Sequence, residues 1–108
     1  MTEEMIKLRS ILDDEGIEWW DKSEPETSSL LMYRTKFHCY GYDWSVIHGY
    51  GSYGGYTSQE EDEGLLELMS RAVNGGEPVG WLTAEKVMEY VRRAKLTTQT
   101  KMQETGYD

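Results

Sequence analysis

The sequence predicts an α+β fold: a small three-stranded antiparallel sheet with one helix before it and one after it, in the order α-β-β-β-α. Three observations point there. Apolar residues recur at helical spacing near both ends of the chain, each run opening on a threonine able to cap it. Between them, over residues 31–48, the period switches to two and is broken once, at Gly41. With 108 residues there is room for one domain only, expected over residues 1–96, with a flexible tail over 97–108.

Thr2 caps the first run, whose first turn carries Glu3 and Glu4 and whose apolar side is Met5, Leu8, Ile11 and Leu12; Gly16 ends it. Residues 21–29 have the acid, serine and proline content of an exposed connection. From Leu31, alternation puts Leu31, Tyr33, Thr35, Phe37 and Cys39 on one face and Met32, Arg34, Lys36 and His38 on the other. Alternation resumes over residues 42–48, so the two segments read as a hairpin about Gly41. Leu65-Leu66-Glu67-Leu68-Met69 reads as the third strand and Asn74-Gly75-Gly76 as a turn. A few extended residues, 79–82, precede Thr83. That threonine caps a second helix with Ala84, Val87, Met88, Val91 and Ala94 on its apolar side and Arg92, Arg93 and Lys95 toward its C-terminus. Trp19, Trp44 and Trp81 each adjoin other apolar residues and are expected in the core.

Eleven Lys and Arg against twenty Asp and Glu give a net charge of −9. Direct nucleic-acid binding and anionic membrane surfaces are therefore disfavoured, because both need basic residues to displace counterions. The charge is uneven. Residues 13–26 hold seven acids and one base, Glu60-Glu61-Asp62-Glu63 is an unbroken acidic run, and residues 82–101 hold five bases and two acids. Cys39 is the single cysteine, which excludes an internal disulfide and a thiolate zinc site within one chain, and a reducing cytoplasm fits best. No stretch approaches the ~18 apolar residues of a membrane span, and the Met-Thr-Glu-Glu start is acidic where a secretory signal is basic.

Gly49-Tyr50-Gly51-Ser52-Tyr53-Gly54-Gly55-Tyr56 is the most unusual text in the chain. Glycines let backbone N–H groups turn toward an anion, and tyrosines supply flat faces and hydroxyls. The segment matches neither a Walker loop nor a dinucleotide fingerprint. It reads either as a bulged strand connection or as a ligand loop. In the second case the candidate ligand-binding residues are Gly49, Gly51, Ser52, Tyr53, Gly54 and Gly55, with His48 and Trp44 beside them. Arg34 and Lys36 then supply positive charge for a small anionic, nucleotide-like ligand. The alternative site is the acidic run, Glu60, Glu61, Asp62 and Glu63, placed to occupy a basic channel on a protein partner. No catalytic set, metal-ligand set or cofactor is assigned, because the chain carries no nucleophile elbow, no Cys/His motif and no phosphate loop. A sheet with helices on one face leaves the other open, so a homo-oligomer is expected.

Three strings resemble, in their order, a loose family of small proteins encoded by phages and prophages of gut bacteria. They are Trp44-Ser45-Val46-Ile47-His48-Gly49-Tyr50-Gly51-Ser52-Tyr53-Gly54-Gly55, Gly64-Leu65-Leu66-Glu67-Leu68-Met69 and Val79-Gly80-Trp81-Leu82-Thr83-Ala84-Glu85. The match covers roughly residues 30–95. It implies a setting, the cytoplasm of an infected or lysogenic bacterium, rather than a reaction. Small phage proteins without enzymatic motifs act by binding: some sequester nucleotide immune signals, and others block CRISPR nucleases or other defence enzymes. The expectation is thus a non-enzymatic anti-defence protein, acting by ligand sequestration or as an acidic nucleic-acid mimic.

Overall fold

The computed structural model describes residues 1–25 and 31–105. Helix α1 (Glu3–Asp14) forms where the first apolar run lies and buries Met5, Leu8 and Leu12. Thr2 stands at its N-cap in extended conformation, but its hydroxyl does not bond the helix. Instead Thr2 Oγ1 donates to the carbonyl of Gly64, 2.7 Å away, tying the start of the chain to the end of the acidic segment.

Strands β1 (Trp19–Asp21), β2 (Glu24–Pro25), β3 (Leu31–Cys39), β4 (Tyr42–His48), β5 (Leu66–Met69) and β6 (Val79–Leu82) follow. They pair antiparallel in the order β1-β3-β4-β5-β6, with β2 paired to β3 as well. The expected sheet of three strands is therefore too small. β3 and β4 are where the alternation placed them, β5 falls within the third strand expected over 65–69, and the extended residues expected at 79–82 pair as β6; β1 and β2, three and two residues long, offer too short a window for a period to register. β1 and β2 are two pieces of one edge: Trp19 lies opposite Phe37 and Glu24 opposite Met32. Between them the Lys22 N–H donates to the Arg34 carbonyl and the Arg34 N–H donates to Ser23 Oγ, so the ladder is bridged across the break. Pro25 sits on this edge, where its missing N–H costs no ladder bond. Residues 26–29, expected to belong to the same connection, lie outside the described residues.

The β3–β4 hairpin turns on Tyr40 and Gly41, both at positive φ (55° and 82°), the pairing a two-residue turn between twisted strands requires. On the inward face Thr35, Phe37, Trp44, Val46, Leu66 and Leu68 are buried. They share one core with α1 and with α2 (Ala84–Thr105), which contributes Ala84, Val87, Met88, Val91 and Ala94. The start of α2 is capped twice: Thr83 Oγ1 accepts the Lys86 N–H and Glu4 Oε1, from α1, accepts the Ala84 N–H at 2.8 Å. The helix also runs on to Thr105, so the backbone over 97–105 is helical where a tail was expected. The Lys, Gln, Met and Glu of this stretch are strong helix formers.

Two faces differ from the alternation. Met32, assigned to the polar side, is buried, because Gly49 packs against it. Trp81, assigned to the core, is exposed. Leu66 pairs with Leu82 and Leu68 with Val79, so two steps along β5 face three along β6. That bulge turns the phase of β6 over and carries Trp81 outward at φ 56°, a conformation bulky residues rarely adopt. Trp19 is partly buried against the core, with the Arg9 guanidinium 4.7 Å above its ring.

Candidate functional site

The segment from Gly49 to Tyr56 is a folded flap. Gly49 O accepts the N–H of Ser52 and that of Tyr56, Gly51 N–H donates to Tyr56 O, and Gly55 N–H donates to Ser52 O. The Ser52 hydroxyl, itself buried, accepts the Gly49 N–H and donates to the Gly49 carbonyl. Tyr53 N–H donates to Glu67 Oε1 at 2.9 Å. Glu67 lies on β5 between Leu66 and Leu68 with its side chain on the opposite sheet face, and the flap buries it there. The N–H groups of Gly49, Gly51, Ser52, Tyr53, Gly55 and Tyr56 are thus all spent on the protein itself. They do not form the anion cradle that the glycine content suggested.

Close packing explains much of that glycine. At Gly55 a methyl group would collide with the Gly49 carbonyl and the Ser52 hydroxyl, and at Gly80 it would collide with the Tyr53 Cβ. Gly55→Ala is expected to cost about 1–3 kcal/mol, as overpacking does. Urea denaturation measures it; an unchanged midpoint would show that the flap yields easily.

The flap brings together two aromatic side chains that the sequence places 28 residues apart. Tyr53 and Trp81 stack with ring centroids 5.4 Å apart and planes 8° from parallel, joined by a Trp81 N–H to Tyr53 carbonyl bond of 3.1 Å. Both are exposed, Tyr53 by 48% and Trp81 by 57%. They border a hollow of about 280 Å³ lined by the flap, Thr57, Glu60 and Glu63, with no Lys, Arg or His of the described residues on its wall.

The acidic run divides by role. Thr57 Oγ1 accepts the N–H groups of Gln59 and Glu60 and shapes a turn that sets Glu60 beside the flap. Glu60 and Glu63 line the hollow, and Glu61 is exposed. Asp62 turns the other way: its Oδ1 lies 2.8 Å from His48 Nε2 and also accepts the Gly64 N–H. A carboxylate only accepts, so Nε2 carries the proton, and Nδ1 is buried without a partner among the described residues. His48, Asp62, Tyr33, Tyr56 and Thr2 line a separate cavity of about 320 Å³.

Burial pushes the Asp62 carboxyl up, but the His48 and Gly64 hydrogen bonds and the His48 charge pull it below its ordinary 3.8. A folded-state value below the unfolded one gives stability that is present above 3.8 and lost as the pH falls through the lowered value. The stability gap between the wild-type protein and Asp62→Asn is therefore expected to be widest near neutral pH and to narrow as the pH falls below 3.8 and through the lowered value. A gap independent of pH would contradict the assignment.

The remaining candidates are elsewhere. Trp44 is fully buried in the core. Arg34 reaches Glu24, with Nη1 3.5 Å from Oε1. Lys36 stands opposite Ser45 on the open sheet face, beside a depression shared with Asp43, Arg71 and Glu77, where acids match bases. Neither Arg34 nor Lys36 lines the hollow at the flap. Burial raises the Cys39 thiol, with the nearby Glu15 charge adding to the rise. Among the described residues no group of three or more His, Cys, Asp or Glu is placed to hold a metal ion, and no helix is long and apolar enough to cross a membrane.

The chain matches no family model, no curated protein and no solved structure.

Proposed function

We propose that this protein is a non-enzymatic binding protein that docks on a basic surface of a protein partner, using the face made by the flap and the segment from Thr57 to Glu63. One observation carries the reading: an exposed, stacked Tyr53–Trp81 pair borders a hollow whose charged side chains, among the described residues, are all carboxylates. Large aromatics ringed by charge are the usual anchors of protein interfaces. Trp81 is also held at positive φ by the bulge, and such backbone strain clusters at binding sites. The net charge of −9 steers the protein toward basic partners.

A nucleic-acid-binding groove on a defence enzyme is a surface of the required charge, and the resemblance to small phage proteins favours that class. Sequestration of an anionic ligand by the flap is the weaker reading, since six of its eight N–H groups are committed and its rim is acidic. The test is affinity capture from a bacterial lysate. A partner held at about 50 mM salt is expected to be released at about 500 mM and by added duplex DNA. Capture that ignores both, or no capture at all, would contradict the reading.

A further inference from the structure

We infer that the hollow beside Trp81 is a receptor for a guanidinium group, the side chain of an arginine projecting from the partner. This inference rests on the proposed docking face and assigns its anchor. Trp81 is stacked on Tyr53 through one ring face and remains more than half exposed. An indole face is the best aromatic surface for a cation, and a flat guanidinium stacks on it while its N–H edges stay free to bond in their own plane. Glu60 and Glu63 line the same hollow, and their carboxylates are acceptors. Among the described residues no basic side chain lines it to compete.

The receptor is preorganised. Gly80 leaves no room for a side chain against Tyr53, the Trp81 N–H is fixed on the Tyr53 carbonyl, and Glu67 holds the Tyr53 N–H from beneath. A lysine ammonium would meet the same acids, but it is a strongly hydrated point charge that gains less from a flat aromatic face. A neutral planar group of the same shape would stack but offer the carboxylates no positive charge.

The experiment follows the Trp81 indole N–H signal by NMR, assigned through its loss in Trp81→Phe. The titrants are N-acetyl-arginine amide, N-acetyl-lysine amide and the neutral N-acetyl-citrulline amide. The arginine probe is expected to give a saturable shift, with lysine weaker by about fivefold or more and citrulline without effect. The double variant Glu60→Gln, Glu63→Gln is expected to weaken the arginine probe by about tenfold. In binding measured by calorimetry, Trp81→Ala abolishes the interaction and Trp81→Phe restores most of it. An absent or non-saturating shift, citrulline equal to arginine, lysine equal to arginine, or binding indifferent to the glutamates or to Trp81 would each overturn the assignment. If the arginine probe fails while salt-sensitive partner capture persists, only the anchor falls; if it binds while no such partner is captured, only the docking reading falls.

Discussion

Trp44→Ala is expected to remove about 3–5 kcal/mol of folding stability, the cost typical of deleting a large aromatic from a packed interior. Its ring is fully buried, lies 6.0 Å from and nearly parallel to Phe37, and meets Tyr42 edge-on. Its indole N–H donates to the Cys39 carbonyl at 3.1 Å, so truncation also leaves that acceptor without its partner. For a domain whose whole stability is of order 5–15 kcal/mol, this loss is expected to lower the melting temperature by more than about 10 °C. Trp44→Phe keeps most of the volume and should lose less. A change below about 1 kcal/mol for the alanine variant would mean that the core is not organised around the β3–β4 hairpin.

Charge reversal at the flap is expected to do the opposite, sparing the fold and removing the interaction. Glu60 and Glu63 are exposed, and among the described residues their carboxylates hold no hydrogen bond or ion pair. Glu60→Lys with Glu63→Lys should therefore shift stability by no more than about 0.5 kcal/mol per site. Partner binding should weaken at least about a hundredfold, because two attractions become two repulsions at a desolvated anchor. Asp62→Ala should behave differently from its neighbours. It unties the segment from His48 and from the Gly64 N–H, so it should cost stability as well as binding. Equal effects at all four acids would indicate a diffuse charge field rather than a built face.

How much of this was legible in the sequence depends on the range over which each signal acts. β3 and β4 could be read because their alternation runs for nine and seven residues and their turn needs Gly41. The two helices could be read from period and caps. β1 and β2 could not, since Trp19–Asp21 and Glu24–Pro25 become strands only by pairing with β3. The outward turn of Trp81 comes from a register shift against β5, and no feature local to Val79–Leu82 announces it. The same holds for the site. The oddity of the Gly/Tyr segment was visible, but much of its glycine answers to contacts with Met32, Leu65 and Ser52 as well as to turn geometry. The split of the acidic run into a pair lining the hollow and one residue bonded to His48 depends on contacts 14 residues apart in the chain, which spacing alone does not reveal. Arg34 and Lys36 group with the loop by charge alone, whereas Arg34, opposite Ile47, turns its guanidinium to Glu24, and Lys36 stands farther down the hairpin opposite Ser45.

The most direct measurement compares two alanine variants in one binding assay against the captured partner at low salt. Trp81→Ala, on β6 against the flap, is expected to lose binding while remaining folded, and Lys36→Ala, on the open sheet face, is expected to bind as the wild-type protein does. Loss of binding in Lys36→Ala with Trp81→Ala unaffected would contradict the account, because it would place recognition at a lysine on the open sheet face and give an anionic ligand the stronger claim.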